Sequence, residues 1–137
     1  MKKNISKILI IIIFISICSI LYTKSVKTDI VDVRGNNDFW RASLNITPRY
    51  NCELVISPAT DEFELPSEIN VDVLVKNKSI YTDKLRIIKN KNFSKFGVYK
   101  STFDSNKYLE RNYKDVYVVI SFNDETSEIP LTLIKYP

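Results

Sequence analysis

The chain has no histidine, only two glycines and only two cysteines in 137 residues. Without an imidazole there is no Ser-His-Asp triad, no Cys-His pair and no His-ligated metal centre. Two glycines, Gly35 and Gly97, cannot build a phosphate-cradling loop, and no Gly-x-Ser-x-Gly elbow is present. Cys18 lies in an apolar run and Cys52 stands alone further on, so no disulfide forms within a folded domain. Cys52 alternates with Tyr50, Leu54 and Ile56 and reads as a small core residue rather than a reactive thiol, since no neighbouring base lowers its pKa.

Positive charge looks abundant, with a formal net charge of +4. Lys2, Lys3, Lys7 and Lys24 flank the hydrophobic run and account for that excess. From Ser25 onward 16 Lys/Arg face 16 Asp/Glu, so the remainder is neutral. A phosphate-binding surface needs its excess on the folded part, so nucleic acid is excluded as a partner. The chain is rich in Ile, Lys and Asn, a composition associated with AT-rich bacterial genomes. In such a chain the triplets Asn45-Ile46-Thr47, Asn77-Lys78-Ser79 and Asn92-Phe93-Ser94 arise by chance as glycosylation sequons.

Residues 8–22 are uncharged and mostly bulky aliphatic. Lysines before such a run keep the N-terminus in the cytoplasm and direct the downstream chain to export. The expected partner of residues 8–22 is therefore a membrane, as a signal peptide or as a short transmembrane helix whose lysines snorkel to the headgroups. Three fates compete. Thr23-Lys24-Ser25 is a poor cleavage site, and bulky Ile17 before Cys18 argues against lipidation. Retention as an uncleaved anchor needs no motif and is favoured. The expected organisation is an anchor or signal peptide at 1–24, a linker at 25–37 and a folded domain at 38–137, placed outside the membrane.

Beyond the anchor the hydrophobic period is two, the mark of strands with one buried face. Trp40, Ala42, Leu44 and Ile46 share a face; so do Tyr50, Cys52, Leu54 and Ile56, and then Ile69, Val71, Val73 and Val75. Ile30, Val31 and Val33 mark a stalk able to pair as a short first strand. Asn77-Lys78 reads as a turn, and strands are expected over 79–89 and 96–103. The stretch 104–114 alone has room for a helical turn. Val116, Val118, Ile120 and Phe122 return through Asn123-Asp124-Glu125-Thr126 to Ile129, Leu131 and Leu133, a hairpin with a turn of about four residues. Pro130 has no backbone donor and marks an edge strand or a bulge. About seven short strands predict an all-β, immunoglobulin-like β-sandwich behind an N-terminal hydrophobic helix.

Gly35-Asn36-Asn37-Asp38-Phe39-Trp40-Arg41, leading into a first strand, resembles the entry segment of small uncharacterised cell-surface proteins and lipoproteins of Gram-positive bacteria. Their closing hairpin is similar to residues 116–134. The resemblance covers the anchor, the entry and the hairpin, and it implies a surface location and a β fold with no assigned activity.

Two acidic groups remain as candidates for chemistry: Asp61, Glu62, Glu64 and Glu68, and Asn123, Asp124 and Glu125. Neither has the spacing of a calcium loop, and both read as solvated loops. No catalytic residue, cofactor or metal ligand is assigned. Tyr99, Tyr108, Tyr113 and Tyr117 are the candidate binding surface, because amphipathic rings make strong contacts at low entropy cost. Tyr117 beside Asp115 also resembles a tyrosine corner, though in a different register. The reading is a non-enzymatic module that binds an envelope protein or a wall polymer. The alternatives are a carboxylate-dependent enzyme acting on glycans, or an inhibitor or immunity-like protein.

Overall fold

The computed structural model describes residues 11–20, 30–62, 64–89 and 96–134. Eight strands form the fold: β1 (Val31–Asn36), β2 (Trp40–Ile46), β3 (Asn51–Pro58), β4 (Glu68–Val75), β5 (Lys78–Ile88), β6 (Val98–Asp104), β7 (Val116–Phe122) and β8 (Glu125–Leu133). They close into an antiparallel barrel in the order β1-β2-β3-β6-β5-β4-β7-β8. The run 3-6-5-4 is a Greek key, in which β3 lies beside β6 while its chain crosses to β4. This corrects the expected immunoglobulin-like sandwich of seven strands. Alternation tells each strand which face to bury but not whether the first strand pairs with the last, and here it does.

Helical backbone covers residues 11–20 (α1). Among the described residues no helix is long and apolar enough to cross a membrane, which corrects the expected transmembrane helix. The ten described residues of α1 rise about 15 Å, against a hydrocarbon core of about 30 Å. The other residues of the 8–22 run lie outside the described residues. Within α1, Ile11, Phe14, Ile15 and Ile17 are exposed.

The inward face of the barrel carries the alternating residues: Leu44, Ile46, Cys52, Leu54, Ile56, Val71, Val73, Val118, Ile120 and Ile129 are all fully buried. Two hairpins use two-residue turns, Lys76-Asn77 and Asn123-Asp124, with positive φ at every central residue. That mirror-image turn matches strand twist and suits Asn and Asp, so the last turn is two residues rather than four. Tyr50, expected inward, precedes β3 and is exposed, its N–H donating to Thr47 O in the connecting turn. Asn106 caps α2 (Lys107–Asn112) by accepting from the Leu109 N–H at 2.9 Å, and Leu109 plugs one end of the barrel.

Closure is thin at two seams. β1 and β8 share the pairs Val33–Leu133 and Arg34–Thr132, and β5 and β6 share Ile87–Tyr99 and Ile88–Val98. Below the second seam Tyr81 stacks on Phe103 at 4.1 Å, and the Tyr81 hydroxyl hydrogen-bonds Ser101, so side chains span the gap that the ladder leaves. Above the first, Pro130 has no N–H to offer β1, and its carbonyl presses against Gly35. A Cβ on Gly35 would stand 2.0 Å from the Pro130 oxygen. Pro130 thus lies at a seam, where no edge is left open.

Gly35→Ala is expected to destabilise the fold by about 2 kcal/mol or more, because backbone must move to admit the methyl. Urea unfolding followed by the fluorescence of Trp40, the chain's single tryptophan, reads this directly. Burial pushes the Cys52 thiol up to about 11, partly opposed by a hydrogen bond with Ser105. Cys52 is accordingly expected to resist iodoacetamide at pH 8 until urea unfolds the chain, whereas rapid labelling of the folded protein would place it at the surface.

Candidate functional site

Antiparallel closure with short connections sorts the loops into two rims. One rim holds the chain's entry to β1, the 47–50 loop, the 76–77 turn and the 105–115 segment with α2 and the 3-10 turn Tyr113–Asp115. The other holds the 37–39 loop, the 59–67 crossover and the 123–124 turn. On this second rim, farthest from where the chain enters, lies a cleft of about 310 Å³.

Asn37 builds one wall. Its side-chain oxygen accepts from the N–H groups of Phe39 (3.0 Å) and Trp40 (2.8 Å), folding the 37–39 loop into an Asx turn. Its amide nitrogen donates to Ser127 Oγ at 2.7 Å and to Glu128 O at 3.3 Å, tying that loop across the seam to β8. The turn leaves Phe39 exposed at the cleft mouth and turns Trp40 inward as its floor. Trp40 meets Tyr99 and Phe122 edge-on, both at 5.9 Å, an aromatic plug that holds the floor rigid. Glu64 from the crossover and Glu125, Thr126 and Ser127 from the last hairpin complete the lining. Among the described residues the walls combine three rings, two carboxylates and two hydroxyls. Among the described residues no lysine or arginine lines them.

The four tyrosines expected to form a binding surface do not come together. Tyr99 is fully buried on β6 and donates its hydroxyl to Pro66 O; burial pushes its pKa up to about 12. Tyr108, Tyr113 and Tyr117 lie at the entry rim. Tyr117 donates to Asn77 Oδ1 in the β4–β5 turn rather than to its own corner, and Lys78 Nζ sits 5.2 Å over the Tyr108 ring. Tyr113 is half-buried against the core. The acidic groups divide too. Glu68 is held by Lys84 at 2.5 Å and Arg86 at 3.0 Å, and the Lys84 ammonium above all keeps its carboxyl below the usual range. Asp61 lines a separate open groove on the outer wall, whereas Glu64 and Glu125 both line the cleft. Among the described residues no three metal-ligating side chains converge.

Sequence reasoning missed Phe39, Phe122 and the meeting of the two acidic loops. Asn37 two residues before Phe39 was the one local signal, an Asx turn that throws the intervening side chain outward.

Comparison with protein-family models, curated proteins and solved structures finds no match for this chain.

Asn37→Ala is expected to lower stability by about 1–2 kcal/mol, since it removes an acceptor for two N–H groups as well as the tie to Ser127. Asn37→Asp keeps the acceptor and loses the tie, so its urea midpoint should fall between the two; equality of all three would deny Asn37 this role.

Proposed function

We propose that this protein is a non-enzymatic binding module of the cell envelope. Residues 8–22 hold it at the membrane, and the cleft on the far rim receives a cationic group of an envelope protein or wall polymer. What supports this most is the composition of the cleft walls. Aromatic faces attract cations through their quadrupoles, and Glu64 and Glu125 add full negative charge beside them. Thr126 and Ser127 hydroxyls supply acceptors for the remaining N–H groups. A volume of about 310 Å³ suits one side chain or one sugar ring and sits at the small end of ligand pockets. The exposed apolar side chains of α1 support the membrane part, since a contiguous bare aliphatic surface in water marks an interaction site.

Convergence of Glu64 and Glu125 on one cleft also favours a second reading, an acid–base pair acting on a glycan. The two separate by turnover: hydrolysis of wall glycan that Glu64→Gln and Glu125→Gln each abolish would establish the enzyme.

For the binding reading, a short lysine-containing peptide and its ε-acetylated twin are titrated against the full chain, with Trp40 fluorescence as readout. The free amine is expected to bind at least about tenfold more tightly than the acetylated form, with the preference lost in Glu64→Gln and Glu125→Gln. Equal binding of the two peptides, or of wild type and both variants, would remove the cation from the proposal.

A further inference from the structure

The chain beyond Ser25 is neutral in sum, yet folding sorts its charges by rim. At the cleft rim, among the described residues, the six carboxylates Asp38, Asp61, Glu62, Glu64, Asp124 and Glu125 are exposed beside two exposed cations, Arg41 and Lys89. At the entry rim Arg49, Lys76, Lys78, Lys107, Arg111 and Lys114 are exposed, drawn from three separate connections. The ion pairs of the described barrel, Arg34–Asp32, Lys84–Glu68, Arg86–Glu68 and Lys100–Glu53, use none of these six cations. Among the described residues three carboxylates share the entry rim: Asp104, Asp115 and Glu110. Glu110 is turned into the rim, where it accepts from the Arg49 N–H at 2.7 Å and from Ser105 Oγ at 2.9 Å. Outward-facing positive charge therefore predominates there. Two of the exposed large hydrophobic side chains of the barrel, Tyr50 (62 %) and Tyr108 (37 %), stand on the same rim, with Ile30 (65 %) at the chain's entry.

From these placements we infer that the entry rim is a docking face for a bilayer rich in anionic phospholipid. Lysine and arginine gain about fivefold each in affinity near such a surface, and the amphipathic rings of tyrosine settle at the headgroup level. The chain's own course selects the bilayer as occupant. β1 starts on this rim, and only residues 23–30 separate the apolar run 8–22 from it, a reach of at most about 28 Å. One apolar insertion with a basic patch is the two-signal combination that gives stable attachment. With this rim on the headgroups, the cleft faces away from the bilayer at about the length of one strand, about 20 Å. The inference rests on the membrane part of the proposed function, and adds to it an orientation that a tether alone does not impose.

The full chain carrying Cys18→Ser is labelled with a fluorophore at Asn51→Cys on the entry rim or Thr60→Cys on the cleft rim. It is mixed with vesicles of phosphatidylcholine, or of phosphatidylcholine with phosphatidylglycerol, each containing headgroup-nitroxide lipid. Quenching is expected at residue 51 in the anionic vesicles only, lost in high salt, with none at residue 60. The triple variant Lys107→Gln, Arg111→Gln, Lys114→Gln should reduce the anionic preference by on the order of a hundredfold with its β-type circular dichroism intact. Retention on neutral vesicles in high salt shows the tether to be sound, and absent or lipid-independent quenching at residue 51 then overturns the docking face. Loss from neutral vesicles instead refutes the tether; docking then stands if anionic vesicles retain wild type and release the triple variant, and falls if they retain both or neither.

Discussion

Closure at two thin seams is the constraint on which the other features depend. Each seam has only two residue pairs of ladder, and each holds one of the chain's two glycines. Gly35 lets the Pro130 carbonyl approach where any side chain would clash. Gly97 enters β6 at φ 98° with Ile87 packed against the place a Cβ would fill. Where ladder is missing, side chains take over: the Asn37 amide reaches Ser127 and Glu128, and Tyr81 lies flat on Phe103. A chain so poor in glycine keeps it where two backbones, or a backbone and a core side chain, must nearly touch.

An even number of antiparallel strands then dictates what shares a rim. β1 begins and β8 ends on the same rim, so both ends of the described barrel meet there, and the 37–39 loop and the last hairpin turn fall on the opposite one. The seam that closes the barrel is also the one that builds the cleft, because Asn37 both bridges β1 to β8 and sets the turn that exposes Phe39 and buries Trp40. Closure and the lining of the cleft are thereby placed in the same few residues. The same sorting acts on a stretch whose charges cancel from Ser25 onward: among the described residues exposed carboxylates outnumber cations at the cleft rim, and exposed cations outnumber carboxylates at the entry rim.

Much of the local structure was legible in the sequence. The faces of β2, β4 and β7 follow from strict alternation, and the buried set from Leu44 to Ile129 is close to what that alternation selects. The helical turn fell where the pattern lapsed, at Lys107–Asn112. The last hairpin was legible, but its turn length was not, since Asn123-Asp124 is enough for a mirror-image turn and Glu125 already pairs with Phe122. The candidate site was hardly legible at all. Tyr99 reads like any alternate strand residue until its neighbours bury it, and Tyr108, Tyr113 and Tyr117 follow the entry rim rather than one another. Glu64 and Glu125 are 61 positions apart in sequence, and no local pattern announces that their loops share a cleft.

Composition and periodicity by themselves determined that imidazole chemistry is absent, that an apolar run precedes the folded part, and that this part is built from strands with one face inside. These are properties of single residues and their spacing, and so survive without knowledge of partners. Only the tertiary structure decided that the strands close into a barrel, which carboxylates line one cleft, and which sign of exposed charge predominates at each rim among the described residues. Those outcomes depend on strand order and on the pairing of β1 with β8, contacts between residues about a hundred positions apart, where alternation with period two is the same for every sheet.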